Sequence, residues 1–410
     1  MSNARYESLD TVRGFAVMGI LLMNIVAFAM PSMAYINPLA WGTPTTVDLA
    51  TWAVNFVLVD GKMRGLFSLL FGASMLLVIE RADSADQNGR RVHLWRMAWL
   101  LVFGLVHFYL IWFGDILTLY ALCGLVTVLL VRKPTDRLIR WAIGLFVVNF
   151  VVWAVVMGGA YVFQHMASQP GADVDMVKSF AEMRDALGAV ASKETALELA
   201  AYTGSYADAV AHRAKDGLGG PLFMVMTGLL ETVGLMALGM AMFRNGFLRG
   251  EWEGARYRAA MVRAYVIGIP PLVVLAAFCW ARGFDVLDTA TVMFVATMPF
   301  RLAVTIGHAA LLMLLIQRLA GSPLLARVAA AGRAAFSNYL GTSILMTLLF
   351  YGYGGGLFGE MSRWQIYLVP PLVWVLMLLW SKPWLDRYRY GPLEWLWRSL
   401  SRGRLQPMRR

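Results

Sequence analysis

His107 and Asp115 are the pair of residues in this sequence best suited to acid–base chemistry. His107 lies in the apolar run 103–109, and Asp115 follows it after a very short turn. An imidazole exchanges a proton near neutral pH, and a nearby carboxylate can fix its tautomer. The pair therefore predicts a catalytic base with an orienting acid. A histidine that hydrogen-bonds between helices, with Asp115 capping the next helix, is the structural alternative.

Four further titratable or cationic residues interrupt apolar segments. They are Lys62, Arg64, Arg301 and His308. An ionised side chain at mid-bilayer costs roughly 2.5 to 3.5 kcal/mol, so such residues usually face a cavity, a partner or a substrate. Arg301 and His308 are seven residues apart and share a helix face. An arginine there could bind a carboxylate or phosphate through its planar fork, or it could pair with Asp115 or Glu231 of the same chain.

Other polar residues extend the set of candidate binding residues into the first and ninth predicted spans. Asp10 and Arg13 lead into the first apolar run, which also contains Asn24. Asn338 and Tyr339 add hydrogen-bonding groups near the start of the ninth. We expect no bound cofactor. We also expect no structural metal, because the only two cysteines, Cys123 and Cys279, lie within apolar stretches and offer neither a disulfide framework nor a metal-ligand spacing.

The composition identifies the class of protein that must position these groups. Of the 410 residues, 59% are hydrophobic and 15% charged, and the mean hydropathy is +0.61, which excludes an ordinary soluble domain. The net charge of +11 does not indicate nucleic-acid binding, because the basic residues lie between the apolar segments. Membrane lipids, and a small-molecule or lipid substrate, are the expected partners, and a homo-oligomer is compatible with the sequence.

Apolar segments long enough to cross a bilayer predict an all-α, polytopic bundle of about ten transmembrane helices. The predicted spans are 12–31, 50–80, 95–113, 115–131, 137–163, 221–243, 262–281, 289–317, 333–353 and 365–381.

The second span is too long for a simple crossing. About thirty helical residues extend about 45 Å, against a hydrocarbon core of about 30 Å. The segment 60–65, with Gly61 and Gly65, predicts a break. If the helix persists, Asp60 and Arg64 are spaced to pair, which leaves Lys62 to face an anion. A kink whose charges only satisfy exposed backbone is the alternative.

Basic residues alternate between connecting segments, which predicts the orientation. Residues 32–49 contain no lysine or arginine, whereas 81–96, 132–140, 244–263 and 318–333 are rich in arginine. By the positive-inside rule both termini are cytoplasmic, and we expect a multi-pass protein of the bacterial inner membrane.

These segments divide the chain into four predicted parts. Residues 1–163 and 221–381 form two membrane bundles of about five spans each, and 382–410 form a basic cytoplasmic tail. Residues 164–220 are too few to bury an independent core easily, so they predict an extracytoplasmic cap of short amphipathic helices.

Several motifs resemble those of the YeiB-like bacterial inner-membrane proteins. They are the runs 8–16 and 19–25, Gly61-Lys62-Met63-Arg64 followed by 66–72, 114–117, 204–206, 391–398 and 406–407. That family resembles, at a distance, the transmembrane acyltransferases that include the heparan-α-glucosaminide N-acetyltransferases and the bacterial O-acetyltransferases. In the O-acetylating branch a histidine stands where this chain has Asn24.

The resemblance implies transfer of an acyl group from cytoplasmic acyl-CoA to an extracytoplasmic acceptor. His107, oriented by Asp115, would deprotonate the acceptor, while Arg13, Lys62, Arg64 and Arg301 would stabilise phosphate or oxyanion charge. A transporter of a small anionic or amphipathic solute, with the same cations at a midplane site, is the rival interpretation. A membrane protein whose polar residues only join helices is the third.

Overall fold

The protein is built almost entirely from helices, as the apolar pattern predicts. The computed structural model describes residues 7–190, 192–215 and 217–410. Within these ranges the only β contact is an isolated antiparallel bridge between Tyr388 and Arg409. The predicted all-α fold is confirmed.

Eighteen α-helices follow one another in the described part of the chain. In the first half they are α1 Glu7–Ala29, α2 Thr46–Leu58, α3 Lys62–Asp83, α4 Gly89–Val106, α5 Leu117–Thr127, α6 Thr135–Ala167, α7 Val174–Ala186, α8 Lys193–Thr203 and α9 Tyr206–Ala214. In the second half they are α10 Gly219–Arg244, α11 Gly254–Ala281, α12 Val286–Thr291, α13 Met298–Arg318, α14 Pro323–Arg333, α15 Ala335–Phe350, α16 Arg363–Ile366, α17 Val369–Arg387 and α18 Pro392–Ser401. A short 3-10 helix, Ser32–Tyr35, follows α1, and two wider π-helical turns follow α4 (His107–Ile111) and α12 (Val292–Ala296).

Eight helical segments in the described residues are long and apolar enough to cross a membrane. They are Glu7–Ala29, Thr46–Asp83, Gly89–Ile111, Thr135–Ala167, Gly219–Arg244, Gly254–Ala281, Met298–Arg318 and Arg363–Arg387. Each of the ten predicted spans lies on one or more helices, but two of those helices, α5 and α15, are shorter than a full crossing requires. The eleven residues of α5 rise only about 16 Å, roughly half of the hydrocarbon core.

The predicted break in the second span lies between α2 and α3. α2 ends at Leu58 and α3 begins at Lys62, with Gly61 in the left-handed conformation (φ 70°) between them. A Cβ at Gly61 would lie 2.1 Å from Cδ of Arg301. A glycine is therefore required here both by the backbone angle and by the arginine packed against it.

Helices from the two predicted bundles pack closely against each other. α10 contacts α3, α5 and α6, and α1 contacts α14, α15 and α3. A Cβ added at Gly72 of α3 would lie 2.0 Å from the Met236 carbonyl oxygen, and one at Gly239 of α10 would lie 1.9 Å from that of Leu69. Two glycines thus allow α3 and α10 to approach closely. The division into two bundles remains a prediction.

Residues 164–220 contain the predicted short helices, α7, α8 and α9. Glu198 of α8 accepts hydrogen bonds from the backbone N–H and hydroxyl of Ser32, both at 2.9 Å. The Tyr202 ring stacks on Tyr351 at 4.5 Å, and its carbonyl accepts from the Gly352 N–H at 2.8 Å. These contacts attach the cap to the segments that follow α1 and α15.

The basic tail forms a helix that the sequence analysis did not predict. α18 packs against α4 and α15, and the Glu394 carboxylate accepts from the N–H groups of Phe336 and Ser337 and from the Ser337 hydroxyl. Glu394 therefore caps the N-terminus of α15 from a position 57 residues later in the chain.

Candidate functional site

The π-helical turn after α4 gives His107 its position. Trp112 N–H bonds to the His107 carbonyl at 2.8 Å, five residues back rather than four, and the chain then leaves the helix. Such widened turns free backbone carbonyls from the helical ladder and are frequent at functional sites. Two side chains of the cap donate hydrogen bonds to carbonyls of this turn. Arg213 Nε donates to the Tyr109 carbonyl at 2.9 Å, and the Tyr206 hydroxyl donates to the Leu110 carbonyl at 2.8 Å.

Asp115 fixes the orientation of His107. Its Oδ1 lies 2.9 Å from His107 Nδ1, and neither side chain is exposed. The same carboxylate accepts from the backbone N–H groups of Leu117 at 3.0 Å and Thr118 at 2.7 Å, which caps α5. The two roles that the sequence left open for Asp115, helix cap and histidine partner, therefore coexist. Since a carboxylate accepts, His107 donates from Nδ1 and keeps Nε2 as a free acceptor.

His107 Nε2 is buried and has no hydrogen-bond partner among the described residues. The imidazole packs against the ring of Tyr339 at 5.2 Å between centroids. Tyr339 also lines a small pocket between α1 and α15, whose other walls are Val17, Ile20, Leu21, Asn24, Phe28, Thr342 and Ser343. The free space in this pocket admits about one water molecule.

Polar groups on the pocket wall remain available for a ligand. The Asn24 amide makes no hydrogen bond to any described residue, and the hydroxyls of Thr342 and Ser343 donate only to their own helix, to the carbonyls of Asn338 and Tyr339. We call His107, Asp115, Asn24 and Tyr339 the His107 site.

A second group joins three helices through one carboxylate. The Glu231 carboxylate of α10 forms ion pairs with two arginines, each at 2.8 Å. Its Oε2 accepts from Arg64 of α3, and its Oε1 accepts from Arg301 of α13. We call these three residues the Glu231 triad. Of the alternatives left open for Arg301, the Glu231 pair is the one present. Arg64 also pairs with Glu231 rather than with Asp60, which accepts instead from the Tyr35 hydroxyl.

Lys62 and His308 both donate hydrogen bonds to backbone carbonyls at the C-terminal end of α2. Lys62 Nζ donates to the Phe56 carbonyl at 2.5 Å, and His308 Nε2 lies 2.8 Å from that of Leu58. Because a carbonyl only accepts, Nε2 carries the proton and Nδ1 accepts from the Tyr265 hydroxyl at 2.8 Å. The interrupted helix therefore has its free carbonyls satisfied by these two side chains.

The remaining predicted residues lie elsewhere. Arg13 donates to Asp10 at 3.1 Å and to the Ser74 hydroxyl at 2.7 Å, at the beginning of α1. Asn338 donates to the Ala331 carbonyl at 3.0 Å and accepts from Trp380 Nε1 at 2.8 Å, so its amide joins α14, α15 and α17. The structure thus brings Tyr339 against His107, and Asn24 lines the pocket that Tyr339 also lines. Asn338, Lys62 and His308 make their contacts elsewhere. Their functional roles remain predictions.

Sequence reasoning missed three polar groups around these sites. Thr342 and Ser343 complete the pocket, and the pattern of one polar residue per turn of α15 after Tyr339 could have indicated them. Arg213 lies in a segment analysed only as a cap, and no motif marked it as a partner of the turn that holds His107.

The chain is similar in sequence to known proteins along its whole length. Residues 242–404 match a family model described as "Protein of unknown function (DUF418)". The chain is 32% identical to "Uncharacterized protein YeiB" of Escherichia coli, covering 97% of this chain and 96% of that protein. It is 28% identical to "Uncharacterized protein YxaH" of Bacillus subtilis, covering 100% and 97%. Because the chain is 32% identical to YeiB and matches it over almost the whole of both chains, it belongs to the YeiB-like family.

Proposed function

We propose that this protein is a membrane acyltransferase in which His107 is the general base. The observation that carries the proposal is the state of its imidazole: Nδ1 is held by Asp115, while Nε2 is buried and has no partner among the described residues. A histidine oriented by a carboxylate, with its other nitrogen free to accept, is the arrangement that general-base catalysis needs. By contrast, both nitrogens of His308 are used within the protein.

The reaction uses an acyl thioester such as acyl-CoA as donor and a hydroxyl or amine as acceptor. His107 Nε2 takes the proton of the acceptor while the acceptor's heteroatom forms a bond to the thioester carbonyl carbon. The carbon–sulfur bond then breaks, and the thiolate leaves with the proton returned by Nε2. Asp115 stabilises the imidazolium that exists between these two steps.

Asn24 is placed to stabilise the negative charge that develops on the carbonyl oxygen. Its amide lines the pocket beside Tyr339 and has donors to spare, because it bonds no described residue. A preorganised amide aimed at an oxyanion contributes to catalysis by electrostatics alone. Since the pocket admits about one water molecule, α1 and α15 must separate before an acyl group enters.

Two helices connect this site with the end at which arginines accumulate. Arg13 and Asn24 are eleven residues apart on α1, and Arg96 and His107 are eleven residues apart on α4 and its π-helical turn. Eleven residues make about three turns, so each pair lies on one helix face about 16 Å apart. With the arginine-rich end in the cytoplasm and the protein in the inner membrane, a donor enters along these faces. The acceptor then approaches through the cap.

The test is acyl transfer by the full-length protein in proteoliposomes. Labelled acetyl-CoA and longer acyl-CoAs are supplied with native lipid and envelope extracts as the acceptor source, and acylated products are identified by mass spectrometry. We expect His107→Ala and His107→Gln to abolish transfer. His165→Ala, at the exposed end of α6, should keep it. Transfer that persists unchanged in both His107 variants contradicts the assignment.

A second candidate function, transport of a small anion, is supported by the Glu231 triad. Two arginines share one carboxylate beside an interrupted helix, which is the composition of a midplane anion site. Solute uptake that is lost in Arg301→Gln but unaffected by His107→Ala would favour transport over acyl transfer.

A further inference from the structure

The C-terminal helix covers one end of the bundle and carries guanidinium groups onto it. Trp397 of α18 donates from Nε1 to the Arg96 carbonyl of α4 at 2.9 Å. Its indole packs against Phe336 of α15 at 5.7 Å between centroids. α18 is therefore held against both helices by contacts from its apolar face.

Two arginines at this end are stacked on aromatic rings. The Arg96 guanidinium lies 4.0 Å from the centre of the Trp397 ring, and that of Arg398 lies 4.5 Å from the centre of the Tyr390 ring. Both side chains are half-buried. Stacking fixes the plane of a guanidinium and leaves its N–H edges available for a ligand.

Arg96, Arg398 and Arg402 have no anionic partner among the residues that the structure describes. Across the described ranges, no carboxylate lies within ion-pair distance of Arg96, Arg398 or Arg402. Arg402 donates only to the neutral amide of Gln406, at 3.1 Å. Unpaired arginines that are already ordered by neighbouring side chains need little further ordering when an anion binds.

Their positive charges act on one another. Arg96 is under the electrostatic influence of Arg13, Arg398 and Arg402. Burial, and after it the charge of Arg402, lower the pKa of Arg398, while Tyr390 and Glu394 oppose this shift. Two carboxylates on the same elements already have partners, because Asp10 pairs with Arg13 and Glu394 caps α15. The group therefore retains an excess of positive charge.

We infer that Arg13, Arg96, Arg398 and Arg402, the arginine cluster, bind a phosphate-bearing ligand. The planar fork of arginine matches the geometry of phosphate oxygens, and several such forks from α1, α4 and α18 converge here. Isolated basic residues that only set membrane orientation need no such convergence. The phosphate can belong to an anionic lipid headgroup or to a soluble nucleotide. The inference does not depend on the chemistry at His107.

The experiment measures binding by the full-length protein in lipid nanodiscs, with two arms that separate these sources. In the soluble arm, inorganic pyrophosphate and ADP are titrated at constant ionic strength into nanodiscs of phosphatidylcholine. In the lipid arm, thermal stability in nanodiscs containing phosphatidylglycerol is compared with that in phosphatidylcholine alone. We expect binding or stabilisation in at least one arm, weakened about tenfold or more in Arg96→Gln and Arg398→Gln.

Two further variants make the result specific. Arg402→Gln alters an exposed side chain and should weaken binding without affecting folding. Arg256→Gln is the matched control, because Arg256 also stacks on an indole, that of Trp252 at 3.5 Å, but belongs to α11. Absence of binding in both arms overturns the inference. Equal binding by the wild type and the Arg96, Arg398 and Arg402 variants, or an equal loss in Arg256→Gln, also overturns it.

Discussion

Nδ1 of His107 lies 2.9 Å from Oδ1 of Asp115, across the turn that joins α4 to α5. The same carboxylate caps α5, so the orientation of the imidazole and the start of the next helix depend on one side chain. A change at Asp115 therefore acts on helix stability as well as on His107.

Replacing Asp115 by alanine should lower the free energy of unfolding much more than replacing it by asparagine. Alanine leaves the N–H groups of Leu117 and Thr118 and one nitrogen of His107 buried without an acceptor, at about 1 to 3 kcal/mol each. Asparagine keeps one acceptor oxygen for the cap. Unfolding in mixed detergent micelles measures the difference, and equal free energies of unfolding for the two variants would contradict this account.

The Glu231 triad should show strong coupling. Glu231→Gln leaves two largely buried guanidinium groups without their counter-charge, which should lower the free energy of unfolding by about 3 to 5 kcal/mol. In a double-mutant cycle, Glu231→Gln with Arg301→Gln should cost about 1 to 3 kcal/mol less than the sum of the single changes.

The exposed pair of Asp136 and Arg140 on α6 is the control for that cycle. Both side chains are about two-thirds exposed, so Asp136→Asn should change stability by less than about 1 kcal/mol. If the coupling energy measured between Glu231 and Arg301 is no larger than the change caused by Asp136→Asn, the residues of the triad do not stabilise one another.

The contact between α3 and α10 should not tolerate a methyl group. Gly72→Ala and Gly239→Ala each place a Cβ about 2 Å from a backbone oxygen of the facing helix, so the helices must move apart. We expect a loss of about 1 to 3 kcal/mol or more for each, by thermal unfolding. Gly158→Ala on α6 is the control: its added Cβ would meet no atom of another element within 4 Å, and the change should be neutral or stabilising.

The attachment of the cap should depend on pH through Glu198. Burial raises the pKa of this carboxyl from its ordinary value of 4.5 to about 7; the hydrogen bonds from Ser32 and the charge of Lys215 oppose the rise, and Glu194 adds to it. Between pH 4.5 and 7 the folded cap binds more protons than the unfolded cap, so its free energy of unfolding falls as pH rises. The fall is at most about 3 kcal/mol and ends above pH 7.

Hydrogen exchange in α8 measures this effect. Comparing the wild type with Glu198→Gln at each pH removes the intrinsic dependence of exchange on pH. The protection of the wild type relative to the variant should decrease from pH 5 to pH 7 and then stay level. A ratio that is constant over this range would contradict the assignment.

Local and compositional features were predictable from the sequence. A bilayer requires about twenty apolar residues in succession, so the spans follow from hydropathy, and the break around Gly61 follows from the excess length of the second span. The contact of His107 with Asp115 was predictable because only eight residues separate them. The lengths of α5 and α15 were not, because turn residues that are themselves apolar extend the apparent segments at 128–131.

Contacts between segments that are far apart in the chain could not be predicted from the sequence. Arg64 and Glu231 are 167 residues apart, and Glu231 was only one of two proposed partners for Arg301. Two groups on the α1–α15 side of the bundle illustrate the same limit: nothing local distinguishes Asn24, which lines a pocket, from Asn338, which is fully used in joining helices. Pattern analysis assigns a polar residue to a span but not to a partner.

The cap that Glu394 places on α15 also constrains the order in which the protein can be assembled. The first N–H groups of α15 receive their acceptor only when the chain has been synthesised through residue 394. Until then α15, which supplies Tyr339 to the pocket, begins at an end whose donors are unsatisfied. We therefore expect α15 to gain its cap only after the C-terminal helix has left the ribosome. A chain truncated before Glu394 would offer quality-control proteases a bundle in which this helix end is uncapped.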